Sequence, residues 1–490
     1  MRSLFAVLTC ACVWLASTAP AVATSFGVTE DAVKDGPDPH YASLIDLGMR
    51  ENAISVRWNS EDPTALPPDV AQIDTVVRHA AARGIKVSFA IYQRRPMGLS
   101  SASSPVLLAQ YATWLQALAR RYPSVTEYIG PNEPNLNHFW QPQFAAGCTN
   151  ASGAAYMRVM AVTYDALKSV SAGIEVAGGA LAPRGNDSCL ASRNASTSPV
   201  RFIHHVGRAY RASGRKRPLM DSFSFHPYPR LNTDPPLRGY SWPNIGVPDF
   251  DRLKQAIHDA FAGTAQPTVE RGLKLHVHES GHETQTGKLP GYKGVEEVPP
   301  VDEATQARYY EQLIRFFACD PSVESFNFFH LVDEANREGV QSGLIRPDGS
   351  RKPSYAAVKA AIARAAGGCD GRPVRWAPSA AVIGGRVNFA PEGPRLSAEE
   401  EATYTAGLFR VSGPLGEAGR SAIARSLASA RVPKRAAATA EGRVRAYYSV
   451  RVRSLLRAVP PGRYVLAVRL RAAMNPARTS VFVSLVFTVR

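Results

Sequence analysis

Short runs of β-branched and aromatic residues alternate, through the first three quarters of the chain, with longer segments whose apolar residues recur at helical spacing. One helix signal is complete: Ser104 and Pro105 are typical of a helix start, and Pro123 follows the last apolar position. The pattern predicts eight strands, at residues 25–29, 53–58, 86–92, 125–129, 174–178, 222–226, 273–279 and 323–330. Helices are predicted at residues 41–50, 70–83, 105–122, 154–170, 200–212, 250–262, 302–318 and 354–366.

Strict alternation of strands and helices predicts a parallel sheet with the helices packed outside it. Eight such pairs in about 350 residues match a (β/α)8 TIM barrel, which we place at residues 24–370. A doubly wound open sheet is the competing architecture, but no glycine-rich phosphate loop follows any predicted strand. The barrel predicts that active residues lie at the C-terminal ends of its strands.

The remaining residues, 371–490, have a different pattern. Apolar and β-branched runs at 404–411, 444–455, 464–472 and 479–489 are separated by breakers such as Pro460-Pro461-Gly462. We predict a small all-β sandwich-like accessory domain here.

Charge separates the same two regions. The chain carries a net charge of +16, of which residues 371–490 contribute +14, from 20 Lys and Arg against 6 Asp and Glu. Arginines two apart share one face of a strand, as at 443 and 445, 451 and 453, and 469 and 471. Such rows fit an anionic cell-surface polymer as partner, although a solvated arginine-rich face is the simpler interpretation.

The first residues predict export. Arg2, an apolar run over residues 4–15 and the sequence Ala21-Val22-Ala23 are typical of a cleaved signal peptide at residues 1–23. No later stretch is long and apolar enough to cross a membrane. We therefore expect a secreted or extracytoplasmic protein without a membrane span, a nucleic-acid partner or a cofactor.

Four cysteines remain after the predicted cleavage: Cys148, Cys189, Cys319 and Cys369. An even number in an exported protein suggests two disulfides, for which three pairings exist. In the predicted barrel, Cys148 and Cys189 follow strands four and five on one face. Cys319 and Cys369 follow helices seven and eight on the opposite face. The topology favours Cys148–Cys189 and Cys319–Cys369.

Two glutamates end predicted strands on the same face of the barrel. Glu133 follows strand four in Gly130-Pro131-Asn132-Glu133, where the proline prevents the strand from continuing. Glu279 ends strand seven. Two carboxylates that face one cavity are what glycoside hydrolysis requires, one as acid and the other as nucleophile or base.

These residues resemble clan A of the glycoside hydrolases, which carries an Asn-Glu acid/base after strand four and a nucleophilic Glu after strand seven. The longer string from Asn132 to Trp140 resembles glycoside hydrolase family 39 and related secreted bacterial cellulase-like enzymes. The resemblance covers about residues 25–366. It implies a retaining hydrolase of β-linked oligo- or polysaccharide, with Glu133 as acid/base and Glu279 as nucleophile.

The same resemblance implies roles for residues at other strand ends. Arg57 would hydrogen-bond the nucleophile, Asn132 would bind the sugar 2-OH, and His226 and Tyr228, in a His-x-Tyr pattern, would shape the site. Where the clan usually has a tryptophan after strand eight, this chain has Phe328-Phe329-His330, which leaves the sugar unidentified.

Aromatic side chains near strand ends are candidates for sugar stacking or for ordinary packing; they are Trp58, Tyr92, Trp140 and Trp242. Of these, Trp140 is taken as a substrate-binding residue together with His330. His276 is expected to point away from the barrel axis, towards the helices.

Two other functions compete. His278-Glu279-Ser280-Gly281-His282 matches the zincin signature H-E-x-x-H, but zincins need it on a helix and here it follows a predicted strand. A non-catalytic carbohydrate-binding barrel is the second alternative, against which the two carboxylates argue. We expect no metal at the site.

Overall fold

The computed structural model describes residues 24–369, apart from 101–102, 192–193, 242 and 288, together with short stretches between 374 and 489. The predicted signal peptide and Trp242 lie outside the described residues. Within the described ranges, no helix has both the length and the apolar character needed to cross a membrane.

Eight parallel strands close into a barrel in chain order, with β1 paired to both β2 and β8. The strands are β1 Ser25–Thr29, β2 Glu51–Trp58, β3 Lys86–Gln93, β4 Glu127–Ile129, β5 Glu175–Leu181, β6 Ser222–Phe225, β7 Lys274–Val277 and β8 Val323–Phe328. The helices are α1 Pro37–Leu47, α2 Val70–Ala81, α3 Pro105–Arg121, α4 Ser152–Val170, α5 Pro199–Ser213, α6 Phe250–Phe261, α7 Glu303–Ala318 and α8 Pro353–Ala365. The predicted (β/α)8 barrel is confirmed.

Local signals set the helix starts. Ser104 accepts a hydrogen bond from the Leu107 amide and Pro105 opens α3, as predicted. Asp302 caps α7 in the same way, through the Thr305 amide. The largest differences from prediction are that α1 begins at Pro37 rather than at residue 41 and that β5 ends at Leu181 rather than at residue 178.

The hydrophobic core lies between the strands and the helices. Alternate strand residues such as Phe89, Phe225, Val277 and Phe328 are fully buried in it. Burial of apolar surface at this cylindrical interface supplies the main driving force for closing the barrel.

The interior of the barrel is polar, unlike the branched apolar filling that is usual for this fold. Among the described residues it holds Glu127, Ser224 and His276 and, above them, a small apolar cluster that includes Ala53 and Ile129. The expectation for His276 was wrong: its imidazole points inwards and contacts Glu127. The strand register explains the error, because Leu275 and Val277 are the β7 side chains that face the helices.

Two disulfides join the predicted partners. Cys148 bonds Cys189 and Cys319 bonds Cys369. Each bridge links loops or helix ends that are neighbours around the barrel, so each closes one stretch of surface chain against the next.

The C-terminal region forms a separate antiparallel sheet, with β10 Ala402–Arg410, β11 Ala438–Val444, β13 Gly462–Ala472, β14 Thr479–Val483 and β15 Phe487–Val489, and a two-stranded pair of β9 Arg386–Asn388 and β12 Ser449–Arg451. Arg443 and Arg471 flank Thr403 in register on one face. Arg453 instead begins a short helix, Arg453–Arg457, so the continuous strand predicted at 444–455 is wrong. Arg445 lies outside the described residues.

A buried ion pair fixes the long loops after β7 and β8. Lys352 Nζ lies 2.6 Å from Asp333 Oδ2, and both side chains are fully buried. The same ammonium donates to Thr284 Oγ1 and to the Gln341 carbonyl. Removing one partner would leave an uncompensated charge inside the loop layer.

Asp333→Ala should therefore lower the free energy of unfolding by about 3–5 kcal/mol. The matched control is Glu311→Ala, which breaks the half-exposed Glu311–Arg364 pair and should cost less than about 1 kcal/mol. Urea unfolding followed by fluorescence measures both. Equal losses in the two variants would show that the buried pair does not hold the loops.

Candidate active site

A tight backbone turn presents Glu133 at the end of β4. Gly130 lies close to Met160, because a Cβ there would be 2.7 Å from the methionine sulfur and would require that side chain to move. Glu133 adopts a positive φ of 37°, and its amide donates to the Ala180 carbonyl across the barrel rim at 2.9 Å. The backbone thereby fixes the direction of a carboxylate that is 8% exposed.

Glu279 enters the same space from the end of β7. Tyr92 Oη donates to Glu279 Oε1 and Tyr228 Oη donates to Glu279 Oε2, each at 3.0 Å. Both oxygens of the carboxylate therefore have a fixed phenolic donor. Burial and the neighbouring charge of Glu279 raise the pKa of both phenols well above the usual range, so they remain protonated.

His226 lies between the two carboxylates. Its Nδ1 is 3.1 Å from Glu133 Oε1 and 3.6 Å from Glu279 Oε2. Oxygen atoms of both glutamates and a ring nitrogen of His226 all lie within 4.8 Å of one another. The three side chains, predicted from separate strand ends, form one buried cluster.

Burial dominates the electrostatics of the cluster. It raises the pKa of Glu133 above its ordinary value, despite the hydrogen bond from His226. Burial also disfavours a charged imidazole, but the carboxylates of Glu279 and Glu133 outweigh it and raise the pKa of His226. Glu133 is therefore suited to holding a proton.

Asn132 has the position expected of a ligand-binding amide. Its backbone amide donates to the Ile91 carbonyl, which fixes the residue at the rim of the barrel. Among the described residues its side chain has no hydrogen-bond partner, and the residue is 6% exposed. The amide is thus free to bind a group that enters beside Glu133.

Two expectations about other residues need correction. Arg57 lies at the end of β2, in register with Tyr92, but it is exposed and makes no hydrogen bond to Glu279 within the described structure. The two tyrosines supply those bonds instead. Trp140 is 0% exposed and packs edge-on against Tyr156, so it is a core residue and not a sugar platform.

His330 is 7% exposed and is bound by the chain itself. Its Nδ1 lies 2.9 Å from the Thr29 carbonyl of β1, and its ring lies 3.7 Å from that of Phe329. No contact to Glu133 or Glu279 is seen in the described ranges, so its predicted role in substrate binding remains a prediction.

Two phenylalanines that the sequence analysis did not assign to the site pack against the tyrosines that bind Glu279. Phe139 packs edge-on against Tyr92, and Phe329 packs edge-on against Tyr228, both with ring centroids 6.1 Å apart. Tyr92 is at the C-terminal end of β3, which is the signal that could have placed it in the site.

The H-E-x-x-H string does not form a zincin site. Residues 278–282 are not helical. His278 points into the barrel towards Glu127, whereas His282 Nε2 lies 3.2 Å from the Asp234 carbonyl. The two histidines therefore do not converge on one ion.

Comparison with known proteins gives distant structural neighbours. The chain is similar to GH5_18 from Streptomyces cattleya in complex with GlcNAc, at 14% identity and a TM-score of 0.47, over 73% of this chain and 83% of that one. It is also similar to a monomeric β-xylosidase from Caulobacter crescentus, at 17% identity and a TM-score of 0.44, over 88% of this chain and 93% of that one. The virulence factor SghA from Agrobacterium tumefaciens shows 14% identity and a TM-score of 0.44, over 70% of this chain and 97% of that one. No family model matches the sequence, and no curated protein does.

The raised pKa of Glu133 predicts a pH-dependent stability. Ionised Glu133 destabilises the native state. The stability that the protonated side chain contributes is therefore fully present below the unfolded-state pKa and is lost as pH rises through the folded-state pKa. Glu133→Gln should therefore raise the free energy of unfolding at about pH 8, and the difference from wild type should shrink towards about pH 4. Glu311→Gln, at an exposed position, is the control and should show no such trend. A gain that does not depend on pH would contradict the raised pKa.

Proposed function

We propose that the protein is a retaining glycoside hydrolase that cleaves β-linked oligo- or polysaccharide. One observation carries the proposal: the carboxylates of Glu133 and Glu279 face each other with oxygen atoms less than 5 Å apart. Retaining enzymes hold their two carboxyl groups about 5–5.5 Å apart, whereas inverting enzymes leave space for a water.

The surroundings of the two glutamates support different roles. Glu279 accepts from two phenols, and a carboxylate can use both donors whereas a protonated acid would need an acceptor. It is therefore the proposed nucleophile. Glu133, whose burial favours the protonated form, is the proposed acid.

The reaction would proceed in two displacements. Glu279 attacks the anomeric carbon while Glu133 gives its proton to the departing oxygen, which forms a glycosyl–Glu279 ester and releases the leaving group. Glu133, now a carboxylate, then takes a proton from water, whose oxygen attacks the anomeric carbon and releases Glu279. His226, 3.1 Å from Glu133, would stabilise the ionised acid between the two steps.

Asn132 is proposed to bind the hydroxyl next to the anomeric carbon, because its amide has no partner in the described structure and lies one residue before the acid. Hydrogen bonds to this hydroxyl strengthen in the oxocarbenium-like transition state. Phe139 and Phe329, packed behind the two tyrosines, are proposed to border the sugar.

The test is the stereochemistry of the product. A screen of aryl β-glycosides identifies a substrate, and proton NMR of the first-formed sugar, before mutarotation, should show retained configuration. Inversion would overturn the mechanism. Binding of glycans without any turnover would favour the alternative of a non-catalytic barrel.

Single substitutions separate the two roles. Glu279→Ala should abolish turnover of every substrate. Glu133→Ala should lose about 10²–10⁴-fold on poor leaving groups but still react with activated aryl glycosides in the first step, since these need no proton. Glu283→Gln is the control: burial raises the pKa of Glu283 to about 7, yet this nearby glutamate has no proposed role. Equal losses for Glu133→Ala and Glu279→Ala on an activated substrate would show that the roles are misassigned.

Tyr92→Phe should lower kcat/KM by about 10–100-fold, because it removes one hydrogen bond to a charged carboxylate. The matched control is Tyr128→Phe, since the buried hydroxyl of Tyr128 has no hydrogen-bond partner in the described part of the chain. Initial rates on the same aryl glycoside compare them. A loss of the same size in both variants would assign the effect to packing rather than to the bond.

A further inference from the structure

A second cluster of ionisable side chains fills the barrel one layer below the catalytic glutamates, and the proposed reaction does not use it. Glu127 of β4 meets His276 and His278, which lie two residues apart and therefore on the same side of β7. All three residues are at most 2% exposed.

Carboxyl groups outnumber ammonium groups around this cluster. Among the described side chains, Glu127, Glu51 and Glu175 lie around one ammonium, that of Lys86, which is 2.8 Å from Glu127 and 3.9 Å from Glu175. A cation bound between Glu127 and the two imidazoles would add positive charge to a buried site that is rich in carboxyl groups.

Three donor atoms converge in this group. Glu127 Oε1 lies 3.1 Å from His276 Nδ1 and 3.2 Å from His278 Nε2, and the three atoms are within 4.8 Å of one another. In a tetrahedral zinc site, bond lengths of 2.0–2.1 Å place neighbouring donors about 3.3 Å apart. Two of the three donor separations match that geometry.

Two of these donor atoms lack a hydrogen-bond partner in the described structure. Glu127 Oε1 and His278 Nε2 are buried without a hydrogen-bond partner in the described structure, although they face each other. Unsatisfied polar atoms in a protein interior are costly, and a shared metal ion would satisfy both at once.

The outer contacts orient the same atoms. Ser224 Oγ lies 2.8 Å from His278 Nδ1, and Glu175 Oε1 lies 3.3 Å from His276 Nε2. Ser88 donates to Glu127 Oε2 at 2.6 Å, which leaves Oε1 for the centre. Hydroxyl and carboxylate groups behind metal-bound imidazoles are the usual support of a zinc site.

We propose that Glu127, His276 and His278 form a structural site for a divalent transition-metal ion, with zinc as the best match to two imidazoles and a carboxylate. This goes beyond the proposed hydrolase activity and departs from the expectation that the chain binds no metal. Entry is from the N-terminal end of the barrel, where the side chains of Lys86 and Glu175 are 33% and 29% exposed.

The test uses the full mature chain, unfolded in guanidinium with a chelator and refolded with or without zinc. After gel filtration, mass spectrometry should find about one zinc ion per chain, and thermal unfolding should shift to higher temperature than for the metal-free protein. His276→Gln and His278→Gln should each lose the bound zinc. Refolding with cobalt should give the visible absorption of a four-coordinate ion.

Two controls locate the ion. His282→Gln changes the buried histidine whose Nε2 faces the Asp234 carbonyl, and it should keep the zinc. Glu279→Gln should also keep it, which excludes binding by the Glu133–His226–Glu279 group. Metal analysis does not depend on turnover, so the result is separate from the outcome for the hydrolase activity.

The proposal is overturned if refolded wild-type protein holds no zinc after gel filtration, or if His276→Gln still holds it. In the first case hydrogen bonds among Glu127, His276 and His278 hold the site together without a metal ion. If neither histidine variant folds, the cobalt spectrum of the wild-type chain decides, and the absence of four-coordinate bands rejects the site.

Discussion

The buried carboxylate of Glu127 is the contact on which the geometry of the barrel depends. A charged carboxylate without access to water is costly unless polar groups surround it, and those around Glu127 come from two other strands: Lys86 and Ser88 on β3, and His276 and His278 on and just after β7. Tyr92, Glu133 and Glu279 lie at or just beyond the C-terminal ends of these three strands. A polar clamp within the barrel therefore fixes the strands whose ends present the proposed catalytic groups.

The polar contacts of Glu127 inside the barrel and the hydrophobic core around it stabilise the fold in different ways. The apolar faces of the strands pack against the helices, and this burial closes the barrel but tolerates many side chains of similar volume. Hydrogen bonds and ion pairs inside the barrel depend on direction and length, so they specify register and side-chain orientation more narrowly. Rigid placement of two carboxylates less than 5 Å apart requires the second kind of constraint.

Sequence patterns predicted which residues stand at strand ends but not which way the side chains point. Alternation of strands and helices was enough for the barrel, for both disulfides and for the positions of Glu133 and Glu279. His276 was assigned to the wrong face of its strand. When the barrel interior is itself polar, alternation of apolar and polar residues does not show which of the two sets faces the helices. The predicted roles of Trp140 and Arg57 were also wrong. Burial and the choice of hydrogen-bond partner depend on loops, which the periodicity does not describe.

The two glutamates illustrate how one barrel gives identical side chains different surroundings. Glu133 depends on a strained backbone turn and a single imidazole, in a setting where burial favours the acid form. Glu279 has two phenol donors, which stay protonated because burial and the adjacent negative charge oppose their ionisation. His226 touches both carboxylates, so a proton lost from Glu133 changes the charge that Glu279 experiences through the same ring. The asymmetry of the donors, rather than the identity of the residues, is what would separate the proposed proton donor from the proposed nucleophile in this site.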